Sequence, residues 1–130
     1  QAMRTADGRA ALPTSIPLAI ALHQAAQVAA IVAACMGDNL ELLGRSIDDR
    51  IAEPARSPLL PGFAEAKAAA LAAGALGCSI SGSGPTAFAL VAGDDAGAVV
   101  AQAMLAAYRK AGLTAAVRVA TTNQEGVRLL

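Results

Sequence analysis

The chain has 130 residues, and its 10 Lys+Arg balance 10 Asp+Glu, so no basic stripe marks it as a nucleic-acid binder. Hydrophobic residues make up 55% but aromatics only 2%, and 35 residues are alanine, which calls for one domain packed through small side chains without disulfide or metal staples. One His and two Cys cannot assemble a zinc site, two distant thiols do not make a disulfide framework, and a reducing, cytoplasmic setting fits.

The chain opens on Gln1 rather than Met, with no charged-then-apolar signal segment, so a processed or truncated piece of a longer protein is expected. Residues 1–13 read as irregular or briefly helical, ending at Leu12-Pro13. The 28 residues from Ala10 to Gly37 carry no formal charge, long enough to span a bilayer. Pro13, Pro17, His23, Gln24, Gln27 and the many alanines argue against that, and no membrane partner is expected. A helix is predicted over 14–36, stopped by Gly37. Leu18, Leu22, Ala25, Ala29, Val32 and Met36 share one stripe, with His23, Gln24 and Gln27 opposite and Ile20 and Ile31 near them. The helix is therefore expected to be largely buried, with one polar strip.

Asp38, followed by Glu41, has capping-box spacing for a second helix, with Leu40, Leu43, Ile47 and Ile51 as its apolar face. Pro54, Pro58 and Pro61 are expected to break regular structure. An alanine-rich helix follows over 62–73, ended by Gly74 and Gly77. A strand over Leu76–Ile80, a turn at Ser81–Pro85 and a strand over Thr86–Ala92 come next. A helix is predicted over about 95–111, with Arg109 and Lys110 in its last turn, where cations suit the helix dipole. Thr114–Thr121 reads as the last strand, and the tail after Asn123 is ambiguous. Three helices, two strands, a helix and a strand make an α+β layout, with helices covering one face of a small antiparallel sheet.

Three stretches could carry chemistry. In Ser81-Gly82-Ser83-Gly84-Pro85-Thr86 the glycines allow close backbone approach and an anion-binding nest, although a plain hairpin turn fits equally well. It is neither a Walker A loop nor a G-x-G-x-x-G helix opening. In Asp49–Arg56 the arginine sits between two prolines, a placement suited to bidentate carboxylate or phosphate recognition; the plain alternative is surface pairing with Asp49 or Glu53. In Thr5–Arg9 the arginine has only Asp7 nearby, and solvation explains it on its own. His23 is expected to be hydrogen-bonded rather than catalytic, and Cys35 and Cys78 to pack as small hydrophobes. Asp48 and Asp49, adjacent on a helix, do not face one another as a glycosidase pair. No catalytic base and no metal ligand set stand out.

Together these stretches resemble the GHMP small-molecule kinases. Ile80–Thr86 resembles their third, C-terminal motif, which members such as 4-diphosphocytidyl-methylerythritol kinase also carry in similar form. Ile51-Ala52-Glu53-Pro54-x-Arg56-x-x-Leu59-Leu60-Pro61-Gly62-Phe63 and Thr5-x-x-x-Arg9-x-x-Leu12-Pro13 are more selective and resemble the homoserine kinase branch. Gly126-Val127-Arg128 weakly echoes the family's closing segment. Ala55 departs from the aromatic often found at its position.

The resemblance implies a ferredoxin-like helix/antiparallel-sheet sandwich over residues 1–130, the C-terminal domain of the family's fold without its first strand. It implies MgATP-dependent phosphorylation of the L-homoserine side-chain hydroxyl in threonine biosynthesis. ATP and Mg2+ would be held mainly by an N-terminal domain absent from this chain, so the fragment alone is expected to be inactive. Arg9 and Arg56 would hold the amino acid's carboxylate, Thr5 would add a hydroxyl, and Gly82 with Ser81, Ser83 and Gly84 would line the substrate. Homodimers are common in the family. The alternatives are another GHMP kinase acting on an isoprenoid precursor and a freestanding ferredoxin-like ligand-binding module.

Overall fold

The computed structural model describes residues 4–122 and Glu125. The elements run α1 (Thr5–Ala10), α2 (Leu18–Met36), α3 (Leu40–Arg45), α4 (Ala52–Arg56), a 3-10 turn (Ser57–Leu59), α5 (Phe63–Ala72), β1 (Gly77–Ile80), β2 (Ala87–Leu90) and α6 (Asp94–Lys110). β1 and β2 form an antiparallel hairpin in which Cys78 pairs with Ala89 and Ser79 with Phe88. The α+β layout is as the order of elements implies.

The core lies where α5 and α6 pack on the hairpin. Ala70, Cys78, Val100 and Met104 form it, with Ala73, Ala75, Ala87, Ala89 and Val91 around them. On α6, Gly97, Val100, Ala101 and Met104 are the buried residues, one helical stripe by their spacing. Small side chains let the layers approach closely. A β-carbon at Gly44 of α3 would lie 2.4 Å from the Leu76 carbonyl oxygen, so α3 rests on the start of β1 backbone to backbone.

α2 inverts the expectation. Leu18, Leu22, Val32 and Met36 are exposed, Met36 by 86%, while Ala34 is the buried residue of the helix. The polar strip is the face that docks. His23 Nε2 lies 2.9 Å from Asp48 Oδ2, and Gln24 Oε1 accepts the Arg50 N–H at 2.9 Å. Periodicity finds two faces but does not say which one meets the protein, and here the hydrogen-bonding groups after α3 meet the polar one. His23 is hydrogen-bonded, as expected. Among the described residues α2 is the one helix long and apolar enough to cross a membrane.

Four local readings shift. α2 starts at Leu18 rather than residue 14, because Pro17 supplies its N-cap and fixes the chain before it. The helix end places Asp38, not a glycine, at positive φ (52°), and the Asn39 N–H closes onto the Ala34 carbonyl at 2.9 Å. Asn39 is therefore the N-cap of α3, its side chain accepting from Leu42 N at 2.9 Å, and Asp38 is not. α3 ends at Arg45, so Ile47 and Ile51 lie beyond it. Pro54 does not interrupt structure; it lies in the first turn of α4, where a missing N–H costs nothing.

Thr114–Thr121 is not a strand. A strand needs a ladder partner, and among the described residues this segment has none. It runs beside α6, with Val119 against Gly97. Between it and β2 opens a cleft of about 1070 Å³, lined by Phe88, Val100, Met104 and Val117, among others. Gly126-Val127-Arg128 lies outside the described residues.

Candidate functional site

The site begins with the way a five-residue helix is held in place. α4 is too short to be stable alone. Asp49 secures its start: Oδ1 accepts from Ile51 N and Ala52 N, both at 2.8 Å, and Oδ2 accepts from Glu53 N at 3.0 Å. Glu53 secures its middle. Its carboxylate pairs with Lys67 of α5 and accepts the Ser79 hydroxyl of β1 at 2.6 Å. Neither acid pairs with Arg56, so the surface-pairing reading of that arginine does not hold.

Arg56 is the last residue of α4 rather than a loop residue. Its Nε donates to the Gly8 carbonyl of α1 at 3.0 Å, and its Nη1 donates to the Gly82 carbonyl at 2.9 Å. One guanidinium thus joins three stretches that are remote in sequence: α1, α4 and the glycine loop. Two of its five N–H groups are committed to carbonyls that carry no net charge. Among the described residues no carboxylate pairs with it, and Nη2 has no hydrogen-bond partner there.

The glycine loop is a hairpin turn, the plainer of its two readings, and it hands directly into β2. Ser81 N donates to Thr86 O at 2.8 Å, and Gly84 N to Ser81 O at 3.1 Å. Gly82 and Gly84 both have positive φ (61° and 86°), which only glycine adopts without strain. A β-carbon on Gly84 would press to 2.9 Å from Leu60, so the buried Leu60 seats the loop from below. Among the described residues nothing lies within 4 Å of a β-carbon built on Gly82.

Thr5 and Arg9 both lie on α1, four residues apart, where side chains share a helix face. Both are exposed, and the Arg9 side chain has no hydrogen bond or ion pair among the described residues. Gly8, bonded to Arg56, is Arg9's chain neighbour, so the clamp on Arg56 also holds α1 in place. Sequence reasoning missed Asp49 as the anchor of the start of α4 and missed the Glu53–Lys67–Ser79 cluster. Asp49 standing three residues before Ala52-Glu53-Pro54, a stretch with an acid and a proline suited to a first helical turn, is a start signal that could have found the first.

Cys78 is 1% exposed, and burial pushes its thiol above the ordinary value, an effect that Lys67 opposes and Glu53 assists. Burial likewise raises the Tyr108 phenol. Among the described residues no three acids, histidines or cysteines are grouped to hold a metal. The glycine loop leads into β2 rather than into a helix.

The family model described as "GHMP kinases C terminal" matches residues 22–110. The chain belongs to the GHMP kinase family. Within it, the chain is 42% identical over 130 residues to a homoserine kinase of Chlorobaculum tepidum, covering 98% of this chain and 40% of that protein. It is 43% identical over 124 residues to the homoserine kinase of Arabidopsis thaliana, covering 94% of this chain and 34% of that protein. The crystal structure of a homoserine kinase from Cytophaga hutchinsonii superposes with a TM-score of 0.83 at 46% identity, over 85% of this chain and 35% of that one. This GHMP kinase domain therefore spans about 40% or less of the relatives' length.

Proposed function

We propose that this chain is the substrate-binding, C-terminal part of a homoserine kinase, which transfers a phosphoryl group from ATP to the side-chain hydroxyl of L-homoserine in threonine biosynthesis. The observation that carries the reading is the Arg56 guanidinium. Two backbone carbonyls from separate elements hold it, and its charge stays available. A small zwitterion needs such a group to fix its carboxylate, because a planar, permanently charged fork sets orientation as well as affinity. Arg9 supplies the second cation of the clamp and Thr5 a hydroxyl from the same helix. Gly82, with Ser81, Ser83 and Gly84, forms a wall that a small substrate can approach closely. The names of the relatives support the choice of homoserine over an isoprenoid precursor.

Phosphoryl transfer depends mainly on positioning and charge neutralisation. This domain's share is to bind and orient the acceptor. ATP and Mg2+ belong to an N-terminal domain, in the part of the relatives that this chain does not match. The strand that should begin the sheet fills the cleft between β2 and Thr114–Thr121. The apolar face of α2 is covered in the whole enzyme, by that domain or by a second copy, and the enzyme works in the cytoplasm.

The test is turnover by the full-length kinase that carries this domain, given MgATP with L-homoserine and, separately, with 4-diphosphocytidyl-methylerythritol. ADP release with homoserine alone is the expected result. Release only with the isoprenoid intermediate would replace the reading with the alternative kinase. Amino-acid binding by the isolated 130-residue chain, with no turnover by any longer form, would favour the freestanding module.

A further inference from the structure

Glu53 precedes Arg56 by three residues on α4, so both lie on one side of the helix. Its carboxylate is nearly buried, 14% exposed, and is held from two directions: Lys67 of α5 on one oxygen and Ser79 of β1, at 2.6 Å, on the other. Ser79 stands three residues before Gly82, whose carbonyl receives Arg56 Nη1. The contacts close a ring that runs from Glu53 to Ser79, along the chain to Gly82, across to Arg56 and back along α4. A long arginine side chain has many rotamers, and a binding group must be held to within a fraction of an ångström to orient its ligand. The ring supplies that restraint, because tilting α4 would break the Ser79 and Gly82 bonds together. A buried carboxylate needs a compensating cation, and Lys67 provides it without drawing on Arg56.

We infer that Glu53, with Lys67 and Ser79, is a positioning residue for substrate: it fixes α4 so that the free edge of Arg56 is presented to the amino acid's carboxylate. This rests on the carboxylate-clamp reading of Arg56. None of the three touches the substrate, so their effect reaches it only through Arg56.

The experiment is a double-mutant cycle in the full-length kinase that carries this domain, reading KM for L-homoserine, KM for ATP and the melting temperature. Glu53→Gln should raise KM for homoserine on the order of tenfold, the effect of loosening one charge-assisted contact, and leave KM for ATP in place. Lys67→Arg should restore what Lys67→Met loses. In an Arg56→Ala background Glu53→Gln should add nothing to KM, because its route is already cut. If Glu53→Gln does not yield folded protein, Ser79→Ala removes one anchor and keeps the ion pair, and is read in the same cycle. A lower melting temperature with wild-type KM for homoserine, or KM effects that multiply with Arg56→Ala, would overturn the inference and leave Glu53 a fold-stabilising residue. If Arg56→Ala itself left KM unchanged, the clamp reading would fall, and the inference with it.

Discussion

Arg56 and Gly82 stand 26 residues apart in sequence and are joined by a hydrogen bond of 2.9 Å from Nη1 to the backbone carbonyl. The bond ties together two motifs that are separate in the sequence, the Glu-Pro-x-Arg stretch and the glycine loop. A second bond, from Nε to Gly8, brings in the third. A lysine has one donor centre and cannot reach two carbonyls as a fork does. Arg56→Lys in the full-length kinase should therefore weaken homoserine binding nearly as much as Arg56→Ala, by ~2 kcal/mol or about 30-fold in KM. Initial-rate kinetics with varied homoserine checks this.

Asp49 accepts three backbone N–H groups at the start of α4, more than a typical cap. Asp49→Ala should cost about 1–2 kcal/mol of stability. Urea unfolding of the wild-type and variant domains reads this as a lower midpoint at an unchanged slope.

Gly44 lies against the carbonyl group and Cβ of Leu76, none of them the movable end of a flexible side chain. Gly44→Ala should destabilise by roughly 1–3 kcal/mol through overpacking, even though alanine is the better helix former. Thermal unfolding is the measurement, and a gain in stability would show that α3 can move off β1.

The two faces of α2 should differ in their sensitivity to substitution. Leu22→Gln and Val32→Gln lie on the exposed stripe and should change the stability of this domain by less than about 0.5 kcal/mol. Gln24→Ala removes the acceptor of the Arg50 N–H and should cost about 1 kcal/mol. If the apolar substitutions prove the costlier in the isolated domain, the helix is turned the other way.

Cys35 is exposed and Cys78 buried. An alkylating reagent should modify Cys35 in the folded protein and reach Cys78 only on unfolding, which mass spectrometry distinguishes. The raised Cys78 value also sets a sign. The folded state keeps its thiol proton at pH values where the unfolded chain has lost it, so stability is fully present below the ordinary thiol value of 9.0 and is lost as pH rises through the folded value. Tyr108 acts in the same sense at more alkaline pH. Cys78→Ala should flatten the decline in stability above pH 9.0.

Local signals in the sequence carried much of this fold. The turn at Ser81–Pro85 and the helix at Asp94–Lys110 are set by glycines, terminal charges and a period that needs no distant partner. What it could not carry was long-range. Thr114–Thr121 alternates like a strand, yet alternation describes two faces and says nothing of whether an edge is at hand to pair with. The α2 stripe shows the same limit, since its apolar side meets no partner among the described residues and its polar side meets Asp48 and Arg50. At the site, residue types and spacing pointed to Arg56 and Gly82. That Glu53 turns to Lys67 and Ser79, leaving Arg56 to two carbonyls, is a three-dimensional fact with no one-dimensional trace.

Carboxylate recognition by Arg56 is what the proposed choice of homoserine depends on most. The most direct test compares L-homoserine with L-homoserinamide, which keeps the reacting hydroxyl and the ammonium but lacks the negative charge, in the full-length kinase that carries this domain and in its Arg56→Ala variant. The wild type should prefer the acid by roughly 30-fold or more in kcat/KM, and the variant should lose most of that preference by slowing on the acid far more than on the amide. An Arg56→Ala variant that discriminates acid from amide as strongly as the wild type would show that Arg56 does not hold the carboxylate.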